Sequence, residues 1–394
     1  VQDKTVRRLS PLIMLLGLGL VALNLRPAMT AVGPLLAEIT RSLGLDHAAA
    51  AVLTTLPALC FGLAGPVAPA IGRRFGAENA ILAALLIVAL GSLLRLIDTA
   101  PVLYLTTVLI GLAIGVMNTL LPGIVKRDFP ERIGAVTGFY TMMLCVGAAG
   151  AVGLAPQVEI HLGTRWPVAL AVWGLLAVVA IPAWLPMRAR FHSRPAVRQV
   201  PGRSLWRNPL AWQVTLYLGL CSSGAYAVFG WAAKMLQDRG LDVPASGWMV
   251  SLSILVQGAG AQVAPLLSRR GDLRASAVLM QVLGLVGLLG YLFAPLDLLW
   301  LCSILLGIGQ GGAFAIALTM IAQRAGTPEM AARLSGMTQS VGYVVGALSG
   351  PLAVGLVHDA FGSWPPVAAV VLLFTVGASL AALGAGRART LDVR

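Results

Sequence analysis

An arginine, Arg26, stands within Leu20-Val21-Ala22-Leu23-Asn24-Leu25-Arg26-Pro27-Ala28-Met29-Thr30, inside a stretch otherwise apolar enough to cross a bilayer. A guanidinium at mid-membrane depth costs roughly 2.5–3.5 kcal/mol on insertion scales, so such a side chain faces a polar cavity and is kept for what it binds. Pro27 follows at once and has no backbone donor, which loosens the helix and frees carbonyls near the same spot. The chemistry this predicts is binding: charge-assisted hydrogen bonds from Arg26 to a small anion or a compact polar ring. The competing explanation is a structural partner, either the freed carbonyls or a carboxylate.

Other polar side chains fall at comparable depth. Asn24 and Thr30 share the span with Arg26; Thr54, Thr55, Asn118 and Tyr140 follow in the first half of the chain, and Ser222, Ser223, Tyr226, Gln257, Gln310, Gln339 and Tyr343 in the second. The candidate substrate-binding set is Arg26, Asn24, Thr30, Asn118, Tyr140, Tyr226, Gln257, Gln310 and Gln339. The alternative for any one amide or hydroxyl is a bridge between helices. Glu38 and Lys234 form a second pair, predicted at the outer ends of their spans and 196 residues apart; they are candidate gating charges, with solvated helix ends as the alternative.

Several chemistries are disfavoured. The spans hold no histidine or carboxylate near mid-depth, so neither acid–base nor nucleophilic catalysis is expected and the chain is read as a non-enzyme. The glycine-rich stretches lack the strand-to-helix setting and the Gly-Lys-Ser/Thr ending of a nucleotide site, which disfavours ATP-driven work. The four cysteines are far apart and the four histidines have no spaced partners; no disulfide, metal or other cofactor is expected.

The elements that position these residues follow from composition. Hydrophobic residues make up 58% of the 394 and charged ones 11%, which a soluble globular protein does not reach. Apolar stretches predict twelve transmembrane helices near 9–38, 48–71, 78–98, 101–125, 133–157 and 166–187, then 208–236, 246–268, 273–294, 297–323, 330–357 and 362–385. The first reads as a true span and not as a cleavable leader. With both termini on one side, that side carries 22 of the 28 basic residues, which places it in the cytoplasm. The +13 charge is thus a matter of topology, and nucleic acid is not an expected partner. Residues 188–207 form an arginine-rich cytoplasmic linker between halves 1–187 and 208–394. Ala68-Pro69-Ala70-Ile71-Gly72-Arg73-Arg74 and Ala264-Pro265-Leu266-Leu267-Ser268-Arg269-Arg270 share Ala-Pro-x-x-x-Arg-Arg at a 196-residue offset, and Gly111 and Gly115 match Gly307 and Gly311, which points to duplication.

Over essentially its full length the chain resembles the major facilitator superfamily. Gly65-Pro66-Val67-Ala68-Pro69-Ala70-Ile71-Gly72-Arg73-Arg74 is similar to that family's Gly-x-x-x-Asp-Arg-x-Gly-Arg-Arg loop, with Pro69 in place of the acid and Ala70 in place of the following base. The resemblance implies an all-α fold of two pseudo-symmetric six-helix halves, a monomer, and a gating role for Arg73 and Arg74; the loss of the acid removes a latch of the outward-facing state. Leu23-Asn24-Leu25-Arg26-Pro27, Leu53-Thr54-Thr55-Leu56-Pro57 and Leu121-Pro122-Gly123-Ile124-Val125-Lys126-Arg127-Asp128-Phe129-Pro130 resemble the cyanate and 2-nitroimidazole transporter branch. This implies a secondary active or facilitative carrier of the bacterial inner membrane, moving a small polar or anionic solute by alternating access, with protons as a candidate coupling ion. The rival is a multidrug or metabolite exporter of neutral aromatic compounds. Against it, Gly147–Gly153 lacks the Gly-Pro pair of the antiporter motif.

Overall fold

A computed structural model describes residues 10–161, 165–190, 205–267 and 272–391. Most of the expected linker 188–207, the basic residues Lys4, Arg7 and Arg8, and the Ser268-Arg269-Arg270 end of the repeat lie outside them. The described residues form twelve rods. The first, α1, is broken into Pro11–Leu23, Pro27–Thr30 and Val32–Leu43. Then come α2 (His47–Phe75), α3 (Ala77–Leu94), α4 (Ala100–Asp128), α5 (Ile133–His161) and α6, in two pieces (Trp166–Ala171 and Gly174–Trp184). The second six are α7 (Pro209–Ala227, a π turn Val228–Ala232, then Ala233–Gln237), α8 (Val243–Leu266), α9 (Arg274–Phe293), α10 (Leu299–Arg324), α11 (Pro328–Ala347, a π turn Leu348–Leu352, then Ala353–Phe361) and α12 (Pro365–Ala385).

Eleven of these are long and apolar enough to cross a membrane; α8 is the exception. At ~1.5 Å per residue α8 is long enough, but Ser246, Ser251, Ser253, Gln257 and Gln262 dilute its apolar surface. Four of these polar groups meet neighbouring helices or their own carbonyls: Ser246 Oγ donates to Val243, Ser251 Oγ to the Ala149 carbonyl on α5 at 2.9 Å, Ser253 Oγ to Val250, and Gln257 Nε2 to Gln310 Oε1 on α10.

Two interruptions matter for function. In α1, Pro27 cannot donate to a preceding carbonyl, and Asn24 Nδ2 turns back onto the Leu20 carbonyl at 2.8 Å, so the helix stops at Leu23 and restarts at Pro27. In α7 and α11 the π turns lie side by side, with Trp231 Nε1 donating to the Pro351 carbonyl at 2.9 Å. Such widened turns set side chains out of the normal helical register and recur at functional sites.

Glycine decides which rods touch most closely. A Cβ at Gly111 or Gly115 of α4 would meet Cys60 or Ala64 of α2, while a Cβ at Gly307 or Gly311 of α10 would overlap the Ser253 or Gln257 carbonyl of α8. The glycines matched by the 196-residue offset therefore do the same work in the two six-helix sets, letting backbones approach without side chains between them.

One end of the molecule, called here the basic end, carries Arg73, Arg74, Lys126, Arg127, Arg188 and Arg324. There Arg127 Nη1 pairs with buried Glu78 at 2.6 Å and Arg127 Nε with Asp128 at 2.7 Å. In the second set Arg324 donates instead to the Ala385 and Gly386 carbonyls at 2.8 and 3.0 Å, and its own carbonyl accepts from Leu391 N–H, tying 386–391 against α10.

Candidate functional site

Arg26 sits at the break of α1 with φ −132° and ψ −34°, outside helical geometry. Its backbone carbonyl accepts from the Met29 and Thr30 N–H groups and from Thr30 Oγ1, which also reaches the Ala148 carbonyl of α5 at 3.3 Å. The side chain is partly exposed and lies over the Phe229 ring of α7, with Cζ 5.1 Å from the centroid. Among the described residues no carboxylate or carbonyl accepts a hydrogen bond from this guanidinium. The structural explanation considered from the sequence, released carbonyls or an acid, is therefore not what the geometry shows. A guanidinium on an aromatic face keeps its in-plane donors free for a planar acceptor.

Phe229 belongs to a cluster drawn from three helices. Tyr226 of α7 packs edge-on against Phe61 of α2 and Tyr343 of α11, at centroid distances of 6.4 and 6.3 Å, and Phe61 meets Tyr343 at 6.2 Å. Asn118 of α4 and the Arg26 guanidinium both lie near the Tyr343 phenol, and Arg26 near that of Tyr226. Tyr140 of α5 lies on the same side of Tyr343. The fold thus brings Arg26, Asn118, Tyr140 and Tyr226 to one place, around an aromatic set that sequence reading caught only through its tyrosines. Phe61 and Phe229 carry no polar tip and could not be told from ordinary apolar filling.

Above Arg26, away from the basic end, a small cavity lies between Met29, Gly33, Thr54 and Thr107 on one side and Tyr226 and Phe229 on the other. Its roof is tight. A Cβ at Gly33 would overlap the Phe229 carbonyl, and one at Gly355 of α11 would overlap Ala51 of α2. On the basic side, a Cβ at Gly123 or Gly336 would meet open space.

The remaining predicted residues go elsewhere. Asn24 is turned onto its own helix. Gln257 and Gln310 bond to each other at 3.2 Å, Gln310 lining a separate cleft of the second six helices with Ser223 and Gln281. Gln339 Nε2 donates to Ser335 Oγ one turn away at 2.7 Å. Glu38 is not at a helix end, because α1 runs on to Leu43. Lys234 pairs with Asp238 on its own helix, and Trp364 Nε1 donates to the same carboxylate at 3.0 Å. Arg73 and Arg74 are exposed, Arg74 over the Phe75 ring.

Arg95 was not singled out by sequence. It caps α3, is 1% exposed, and donates from Nη1 to the Ala28 carbonyl at 2.7 Å and from Nη2 to Thr107 Oγ1 at 3.3 Å. The available signal was the one that identified Arg26: an arginine within a predicted span, 78–98.

Comparison with known proteins agrees with this architecture. The Major Facilitator Superfamily profile matches residues 18–350 and 224–390. The chain belongs to that superfamily. It is 36% identical over 381 residues to the 2-nitroimidazole transporter of Escherichia coli (strain K12), covering 95% of this chain and 96% of that one. It is 31% identical over 353 residues to the cyanate transport protein CynX of the same organism, covering 89% and 91%. An uncharacterized transporter of Bacillus subtilis (strain 168), YycB, is 35% identical over 383 residues, covering 95% and 94%. Among solved structures, a mutant of the nucleoside transporter NupG superposes with a TM-score of 0.73 at 14% identity, covering 94% of this chain and 98% of that one. This major facilitator chain is a multi-pass membrane transporter of the twelve-helix fold, and these relatives are named as transporters.

Proposed function

We propose that this transporter carries a compact planar solute, a small anion or a strongly polar azole, bound between Arg26 and the Phe61, Tyr226, Phe229 and Tyr343 rings. The observation that carries the reading is an Arg26 guanidinium with no acceptor among the described residues, stacked on Phe229 beside a small cavity. The ring faces suit a flat ligand and the guanidinium supplies in-plane donors to an anion or a nitro or ring acceptor. The names of the two Escherichia coli relatives, one for cyanate and one for 2-nitroimidazole, fit these two chemistries.

Transport runs by alternating access of halves 1–187 and 208–394 joined by 188–207, in the inner membrane of a bacterium with the basic end cytoplasmic. The tight approach of α1 to α7 and the open space at Gly123 and Gly336 suit a state open toward the cytoplasm. A proton moving with an anion would offset the ~2.3 kcal/mol per charge per 100 mV of a negative-inside potential.

The test is the thermal shift of the purified protein with cyanate, other small anions, 2-nitroimidazole and related azoles, in wild type and Arg26→Ala. A ligand of the native state raises apparent stability by mass action. Stabilisation that disappears in Arg26→Ala is expected; stabilisation that survives it removes Arg26 from the site.

A further inference from the structure

We infer that Arg95 supplies a second positive charge to the substrate cavity and sets its preference for anions over neutral rings; this rests on the binding site proposed above. Arg95 is buried, and its bonds go to two uncharged oxygens, the Ala28 carbonyl and Thr107 Oγ1. Its Nε has no partner. No carboxylate pairs with it among the described residues. The nearest acid in sequence, Asp98, pairs with Arg165 at 3.0 Å.

Two neutral acceptors do not offset the desolvation of a full charge, which in real proteins costs several kcal/mol per ion. Removing the charge while keeping the shape would therefore ease folding, and a strut between α1, α3 and α4 needs only a neutral donor. The charge has a use where it is placed. Thr107, which accepts from Arg95, lines the cavity together with Met29 and Phe229. Ala28, the other acceptor, lies in the four-residue piece Pro27–Thr30 that follows Arg26. The broken segment of α1 is thus flanked by two guanidiniums, Arg26 on the open side and Arg95 behind the wall. In a water-poor site the field of the second is poorly screened, and it acts on an anion without touching it.

The experiment measures dissociation constants of purified full-length protein at low ionic strength for cyanate, as the anion, and 2-nitroimidazole, as the neutral ring. Arg95→Gln is expected to weaken cyanate about tenfold, equivalent to ~1.4 kcal/mol, while leaving 2-nitroimidazole within about twofold; Arg95→Lys keeps the wild-type ratio. A structural strut alone would move both ligands together. If Arg95→Gln does not fold, Arg95→Met, uncharged and of similar length, removes the same charge without altering the cavity lining and is expected to lower the cyanate preference equally. Parallel loss of both ligands in Arg95→Gln, or an unchanged ratio in either variant, overturns the inference. Wild-type protein with no affinity for cyanate overturns the anion reading and this inference together; wild-type affinity that depends on Arg26 but not on Arg95 overturns this inference alone.

Discussion

The approach of α1 to α7 offers a direct way to test alternating access, through Gly33→Ala. The added Cβ would overlap the Phe229 carbonyl oxygen and lie 3.4 Å from its carbon. Both are backbone atoms, so no rotamer change relieves the clash and the two helices must separate. Overpacking of this kind costs about 1–3 kcal/mol. The cost falls only on the state in which α1 and α7 touch, so the ratio of that state to its alternative should drop by about 5–150-fold. Spin labels at Ser42→Cys and Asp242→Cys, both exposed beyond the contact, read this as growth of a longer distance; the four native cysteines are buried. Gly307→Ala is the control, because its Cβ would overlap Ser253 O within the second six helices, a contact that does not change between states. It should lower Tm and leave the distance distribution alone. If Gly33→Ala instead lowers Tm as much as Gly307→Ala with no change in distances, the α1–α7 contact is ordinary packing and not a gate.

Four further outcomes are expected. Arg26→Lys keeps the charge but loses the planar fork and its ring stacking, so anion affinity should fall by about 1.5–3 kcal/mol, read by calorimetric titration. Tyr291→Phe removes a buried hydroxyl that donates to the Met249 carbonyl at 3.0 Å and lies 2.8 Å from Ser303 Oγ, and a loss of about 1–3 kcal/mol should appear in thermal unfolding. Arg324→Met strands the Ala385 and Gly386 carbonyls, with a similar expected cost and faster proteolysis near Leu391. Lys234→Met should shift stability by less than about 1 kcal/mol, as for surface pairs, and leave the transport rate unchanged; a large loss of rate would restore the gating role that its Asp238 partnership argues against.

The fold was legible because a bilayer imposes strong rules on sequence. Length and apolarity located the rods, and the spacing of Gly111 and Gly115 against Gly307 and Gly311 announced the repeated contact of α2 with α4 and α8 with α10. The candidate site was legible only where its residues are costly. Arg26 stood out because a charge in a span requires a reason, and Tyr140, Tyr226 and Asn118 followed from depth. Phe61 and Phe229 did not, since an apolar ring in an apolar span carries no mark of what it faces. Depth does not separate Gln257, Gln310 and Gln339 from that set: each is polar and at depth, yet its amide bonds another side chain, Gln257 with Gln310 and Gln339 with Ser335. The Glu38–Lys234 pairing failed for a local reason, as an aspartate one helical turn after Lys234 is always in reach, whereas Glu38 lies across a changing gap. Arg95 was passed over because an arginine near the end of a predicted span is expected to extend to the interface. The cap of α3 turns it inward instead.

That inward turn changes what closure of the roof does. With α1 against α7, Arg26 keeps part of its surface exposed, whereas Arg95 is 1% exposed. Any anion between them then interacts at an effective dielectric far below that of water, and its attraction grows several-fold over that in an open vestibule. Release therefore depends on water entering beside Arg26, where the guanidinium is still partly exposed, because Arg95 lies behind Thr107 and cannot be rehydrated by the same route. On this argument the second arginine biases the site toward capture and the first controls release. High salt on the basic side should accelerate release more than it weakens capture from the far side, a difference that two-sided efflux from oriented vesicles would measure.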